Sequence, residues 1–252
     1  MIKMTTPSFT RSIPNSGPRT SKRQSGVSLM ETMIALALSL IVTSAMVVLM
    51  ANSLGTATRV IHMTQLTDEL RNAMSMMTRD VRRANYSANS IFCYGYSKCG
   101  FAGGNALQVG DIQISNGQCF TFTLDRDLNG DATDDAVGGF RRVINGGVGV
   151  IEMWVGTSGT TPNCGSAPGS ANWIELTDPG TVNITAFNVN DAGSVVKEIA
   201  ETKTTTFDSR QREIQLSLEG RLIVEEQRGN TMVLRQVGDV VYVRNDYVLP
   251  TI

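Results

Sequence analysis

The hydrophobic pattern changes period twice along the chain. No charged residue occurs between positions 32 and 58, and the largely apolar run 33–50 supplies 18 residues. At 1.5 Å per residue that run makes about 27 Å of helix, enough to cross a bilayer. Farther on, Leu66, Leu70, Ala73, Met74, Met77, Val81 and Ala84 recur at three- and four-residue steps, the spacing of one buried helix face. Between 27 and 94 there is no proline and a single glycine, Gly55. The pattern therefore predicts one continuous helix over 27–85, with a membrane span at about 32–52 and its second half packed on a globular domain. The methionines Met74, Met76 and Met77 read as core filler.

After residue 90 the period falls to two. "CFTFTL", "VGVIEMWV", "TVNITAFNV", "REIQLSLEGRLIV" and "DVVYVRN" alternate or concentrate β-branched and aromatic residues between Gly, Asn and Asp. Stretches 100–118 and 156–171, rich in Gly, Ser and Asn, read as surface loops. A helix followed by strands predicts an α+β fold in which an antiparallel sheet of a domain at 86–252 packs on the helix.

Charge then orients the helix. Positions 1–26 carry Lys3, Arg11, Arg19, Lys22 and Arg23 and no acid, which keeps that end cytoplasmic by the positive-inside tendency. Without those residues, 17 Lys+Arg face 23 Asp+Glu, a net of −6, so the remainder offers no general attraction to a polyanion. "RDVRRAN" places cations near the predicted helix end, where they complement the dipole. The apolar core is too long, and runs too smoothly into the helix, for an ordinary cleaved signal peptide. A plain anchor leaves Glu31 unexplained, because a carboxylate inside a span costs about 2.5–3.5 kcal/mol on insertion scales.

"GVSLME", positions 26–31, resembles the processing site of class III signal peptides in type IV prepilins. The resemblance implies a basic leader, 1–26, removed by prepilin peptidase between Gly26 and Val27. It further implies methylation of the new amine on Val27, and pairing of Glu31 with the N-terminal amine of a neighbouring subunit. A buried carboxylate is tolerated when a cation meets it.

All four cysteines, Cys93, Cys99, Cys119 and Cys164, lie beyond the span, where a periplasm permits disulfides. Of the three connectivities, Cys93–Cys99 with Cys119–Cys164 is favoured because the first pair closes a short loop containing glycine. Zinc fits less well, since no CxxC occurs and the one histidine, His62, falls on the helix. "DRDLNGDATDD", 125–135, sets Asp125, Asp127, Asn129, Asp131 and Asp135 around Gly130, a candidate calcium loop resembling the start of an EF-hand. Against it, Ala136 stands where a bidentate Glu belongs, and a solvated acidic turn explains the same residues. No phosphate-binding loop, HExxH or GxSxG occurs, and the chain reads as a structural part rather than an enzyme.

"RDVRRANY", "DLNGD" and the closing "VYVRND" narrow the resemblance to PilW-like minor pilins of type IV pili. That family implies a low-abundance subunit that primes pilus assembly and joins a tip complex serving adhesion, motility or DNA uptake. Its implied partners are other minor and major pilins, the prepilin peptidase, the inner-membrane assembly platform and a tip adhesin. Its implied location is the bacterial inner membrane, with the C-terminal domain periplasmic, and then the fibre. A J-type minor pseudopilin of type II secretion shares the helix and is the near alternative. A stand-alone membrane-anchored binding module, or a hydrolase with an unfamiliar site, is the alternative of another class.

Overall fold

The structure, a computed structural model, describes residues 26–88, 110–125, 128, 136–156, 160–200, 206–223 and 234–248. The chain divides into two compact units, Met1–Gly55 and Thr56–Ile252. One helix, α1 (Leu29–Arg83), runs through the boundary. Its first turn closes on the Ser28 carbonyl, which accepts the N–H groups of Glu31 (3.0 Å) and Thr32 (3.2 Å). The helix contains a stretch long and apolar enough to cross a membrane, and every residue from 26 to 61 is exposed in the protein itself. It stops at Asn85, whose left-handed backbone (φ 62°) a helix cannot continue and Asn accommodates. The Asn85 N–H leaves the helix ladder and donates to the Thr123 carbonyl at 3.0 Å.

All seven positions of the periodic stripe, Leu66 through Ala84, are buried at 4% exposure or less. Each large side chain among them contributes about 1.5–3 kcal/mol on transfer from water. Met76 is a correction: it lies off the stripe and is 36% exposed, so only Met74 and Met77 fill the core.

Eleven strands appear among the described residues, all paired antiparallel. The first sheet runs in simple order: β1 (Gln113–Ser115), β2 (Cys119–Leu124), β3 (Ala136–Asn145), β4 (Val148–Trp154) and β5 (Trp173–Glu175). The second has β6 (Val182–Asn190) and β10 (Arg235–Tyr242) on either side of β9 (Glu213–Leu222). The third places β8 (Thr206–Gln211) between β7 (Val195–Ala200) and β11 (Tyr247–Val248). The α+β class and the antiparallel pairing agree with the sequence reading, and the five quoted segments lie in β2, β4, β6, β9 and β10. The single sheet expected there is three. β1 falls inside a stretch predicted as loop, and β3 lacks the alternating pattern because "AVGGFRRVIN" puts paired glycines and paired arginines inside the strand.

Period two is clearest in β9, where Ile214, Leu216, Leu218, Gly220 and Leu222 are buried and their neighbours are not. These side chains, with Phe120, Phe122, Phe140 and Phe187, form one core with the α1 stripe. The four rings stand within 5.5–6.4 Å of their neighbours, centroid to centroid. Gly149 lets the first two sheets meet: a Cβ there would stand 2.0 Å from the Ile184 carbonyl oxygen, beside the β-bulge of β6.

On α1, the half-buried Glu69 faces the turn before β6. Burial, and then the negative charge of Asp178, raise its carboxyl above the ordinary range, although the Asp178 N–H bonds to it. Asp178 is itself held below the ordinary range by the Gly180 N–H and the Thr181 hydroxyl, both at 2.8 Å. A carboxyl raised in the folded state weakens folding once it ionises, and that penalty fades as pH falls toward the unfolded-state value. Glu69→Gln is therefore expected to melt above the parent at pH 7. The two melting temperatures should converge in scans taken below the usual glutamate range.

Candidate functional site

Two regions bring candidate residues together: the start of α1 and the outer face of the first sheet. At the first, Gly26 precedes the helix and a Cβ added to it would meet nothing within 4 Å. Among the described residues nothing demands glycine there. Val27 is 68% exposed, and Glu31 occupies the first helical turn, where the N-terminal end of the dipole favours an acid. Glu31 is exposed and forms no ion pair with any described residue. Thr32, Ser39, Thr43 and Ser44 return their hydroxyls to carbonyls three or four residues back, so these hydroxyls are satisfied within the helix.

Of the candidate calcium loop, Asp125 is described, and Asp127, Asn129, Asp131 and Asp135 lie outside the described residues. Asp125 is buried, its Oδ1 accepting the Leu128 N–H at 2.7 Å and its Oδ2 the Ala88 N–H at 2.8 Å. It thus shapes a turn and ties that turn to the chain leaving α1. Among the described residues no three His, Cys, Asp or Glu side chains gather as a metal site. His62 contacts Gln65 on its own helix at 3.1 Å.

The Cys119–Cys164 disulfide is present, with Cα atoms 6.0 Å apart; Cys93 and Cys99 lie outside the described residues. What the disulfide holds could not be read from sequence. Cys119, Arg141, Glu152 and Glu175 stand in one row across β2, β3, β4 and β5, opposite one another in register. Their side chains share the face turned away from the core. The segment 160–172 crosses that face, and the disulfide fastens it there.

Arg141 fills the space beneath. It is 1% exposed and pairs with Glu152, 0% exposed, at 2.7 Å. Its guanidinium donates to the main-chain carbonyls of Asn163, Ser166 and Ala167 at 2.8–3.2 Å, and lies 4.2 Å from the Trp173 ring centre. Glu152 accepts the Gly169 N–H at 2.7 Å with its other oxygen. A charge is tolerated without water only when its hydrogen-bonding groups are met, and here the overlying segment meets them. The only sequence sign was an Arg-Arg pair within an apolar strand, which a period-two reading treats as solvent-facing.

A second polar hub ties the third sheet to the rest. Asp111 accepts from Arg210 (3.1 Å), Arg212 (2.8 Å), its neighbour Ile112 N–H (2.8 Å) and Asn85 at the end of α1 (3.4 Å). Arg212 also meets Asp191 in the turn after β6. Buried Tyr247 beside this hub has its phenol raised by burial and by the Asp111 charge, against the opposing effect of Arg210.

Comparison with known proteins matches two separate stretches of the chain. Residues 21–47 match the prokaryotic N-terminal methylation motif, and residues 59–238 match the family described as prepilin peptidase-dependent protein B. No curated protein and no solved structure matches the chain.

The buried pair makes its own expectation. Arg141→Ala strands Glu152 and the carbonyls of the overlying segment, and should cost about 3–5 kcal/mol in urea unfolding. Replacing both partners, as in Arg141→Met with Glu152→Leu, should cost clearly less, because no charge is left buried. Equal losses in the two variants would show that the cost lies in packing rather than in charge.

Proposed function

Because the chain belongs to the prepilin peptidase-dependent protein B family, we propose that it is a minor pilin of a type IV pilus, cut between Gly26 and Val27, methylated on Val27 and assembled through Glu31. The carrying observation is an exposed carboxylate in the first turn of a helix that otherwise bears no charge until Arg59. Carrying that group into a membrane costs about 2.5–3.5 kcal/mol unless a cation meets it. The amine released at Val27 of an adjacent subunit supplies such a cation and sets the stagger between helices. Gly26, which no contact with a described residue requires, is then read by an outside enzyme at the cleavage site.

Orientation follows from charge. The basic leader stays cytoplasmic, and residues from Arg59 onward face the periplasm. A disulfide at Cys119–Cys164 supports this, since such bonds persist in oxidising compartments. Pilin-like families are structural, and in this reading the β-rich unit contacts other pilins, the inner-membrane platform and a tip adhesin during priming. The similarity of "RDVRRANY" and "VYVRND" to PilW-like chains supports the minor role in a pilus.

Intact mass and N-terminal sequencing of the membrane-extracted chain should give a methylated Val27 start in cells with the prepilin peptidase and a Met1 start without it. Glu31→Ala should still be processed, yet enter sheared pili at least about tenfold less than the parent, as loss of a buried charge partner implies. A Met1 start in both strains would refute the reading.

A further inference from the structure

The end of α1 borders a cleft of about 410 Å³ walled on one side by Arg82, Arg83 and Tyr86 and on the other by Leu128 and Arg244. Two contacts hold its walls together. The Arg244 N–H donates to the Arg82 carbonyl at 3.4 Å, and the Asn245 side chain to the Ala84 carbonyl at 3.0 Å.

Its cations lack counter-ions among the described residues. Arg79 pairs with Asp80, Arg141 with Glu152, and Arg210 and Arg212 with Asp111. Arg82, Arg83 and Arg244 are exposed, and none of them pairs with a described carboxylate. The acid in the wall, Asp125, is buried with both oxygens bonded to main-chain N–H groups. Helix-dipole complementarity accounts for Arg82 and Arg83 in the last turn, but not for Arg244, which arrives from a different part of the chain. Three like charges are thus gathered in a chain whose balance beyond Gly26 is −6.

The apolar lining is also unusual. Leu128 is 62% exposed and its backbone is left-handed (φ 64°), a conformation that leucine adopts only at a cost, held here by its N–H bond to Asp125. Exposed Tyr86 faces the same cleft. Guanidinium forks suit carboxylates, and a leucine and a tyrosine at the rim suit the side chains between them. A nucleic acid would call for further aromatic platforms and a longer basic track than this cleft offers.

We propose that this cleft docks a carboxylate-bearing segment of a neighbouring pilin-like subunit, with Arg82, Arg83 and Arg244 taking the carboxylates and Tyr86 and Leu128 the apolar side chains. The proposal rests on the assembly reading above and adds to it a second, ectodomain contact separate from Glu31.

The test places the photo-crosslinker p-benzoylphenylalanine at Tyr86 in the full chain, in cells that assemble pili, and maps the cross-linked peptide by mass spectrometry. The expected product joins Tyr86 to a segment of another chain with a prepilin-type helix, with two or more Asp or Glu beside the attachment point. Arg82→Glu combined with Arg244→Glu should lower its yield at least tenfold, and the milder Arg82→Gln with Arg244→Gln should also lower it. Arg71→Glu, exposed on α1 outside the cleft, should leave it unchanged. No cross-link, one to nucleic acid or lipid alone, one to a segment without carboxylates, or one indifferent to both double variants would overturn the proposal. Sequencing the N-terminus in the same cells separates the two failures. A Val27 start without the cross-link defeats the cleft alone, whereas an uncut chain defeats the assembly reading and the cleft with it.

Discussion

Burial of the stripe from Leu66 to Ala84 is the constraint on which the β-rich unit depends. Seven positions at helical spacing lose their exposure to a core built from β2, β3, β4, β6 and β9. The same helix is apolar all round over its first half, where no described residue buries it. One element thus answers to two surroundings. A helix with every face apolar suits lipid or the packed interior of a fibre, and a helix with one apolar stripe suits a single protein partner. The change from one pattern to the other lies close to the first charged residue after Glu31, Arg59.

Once the inner face of the first sheet is committed to the helix, its outer face needs a cover. The segment 160–172 supplies one, and two devices of different chemistry hold it. The disulfide restricts the unfolded chain across a separation of 45 residues, worth about 4 kcal/mol in a loop-entropy account. The Arg141–Glu152 pair acts in the folded state instead, because its charges are satisfied only when the segment is in place. Its net contribution is small beside an apolar alternative, so its value is specificity: one conformation of the segment meets the guanidinium and others leave it unpaired. Asp111 serves similarly at the third sheet, joining the end of α1, the entry to β1 and the bend between β8 and β9.

These two layers differ in their contacts. The helix start, with Gly26, Val27 and Glu31, makes few contacts with the described residues. Within the β-rich unit the buried charges are met by described partners, whereas Arg82, Arg83 and Arg244 pair with no described carboxylate. On the assembly reading proposed above, the helix start serves neighbouring helices while the β-rich unit keeps one shape.

Local periodicity made the long helix, its buried stripe and five strands legible in the sequence, since each is set by neighbours a few residues away. Met76 shows the limit of even that reading: composition grouped it with Met74 and Met77, and its angular position on the helix exposed it. The partition into three sheets, the burial of Arg141 and the hub at Asp111 were decided only in three dimensions. Arg141 meets its partners 11–26 positions away and Asp111 meets Arg212 101 positions away. In sequence each is an ordinary charged residue beside a strand. Whether such a residue is solvated or entombed depends on what distant segment is folded over it, and no local pattern carries that information.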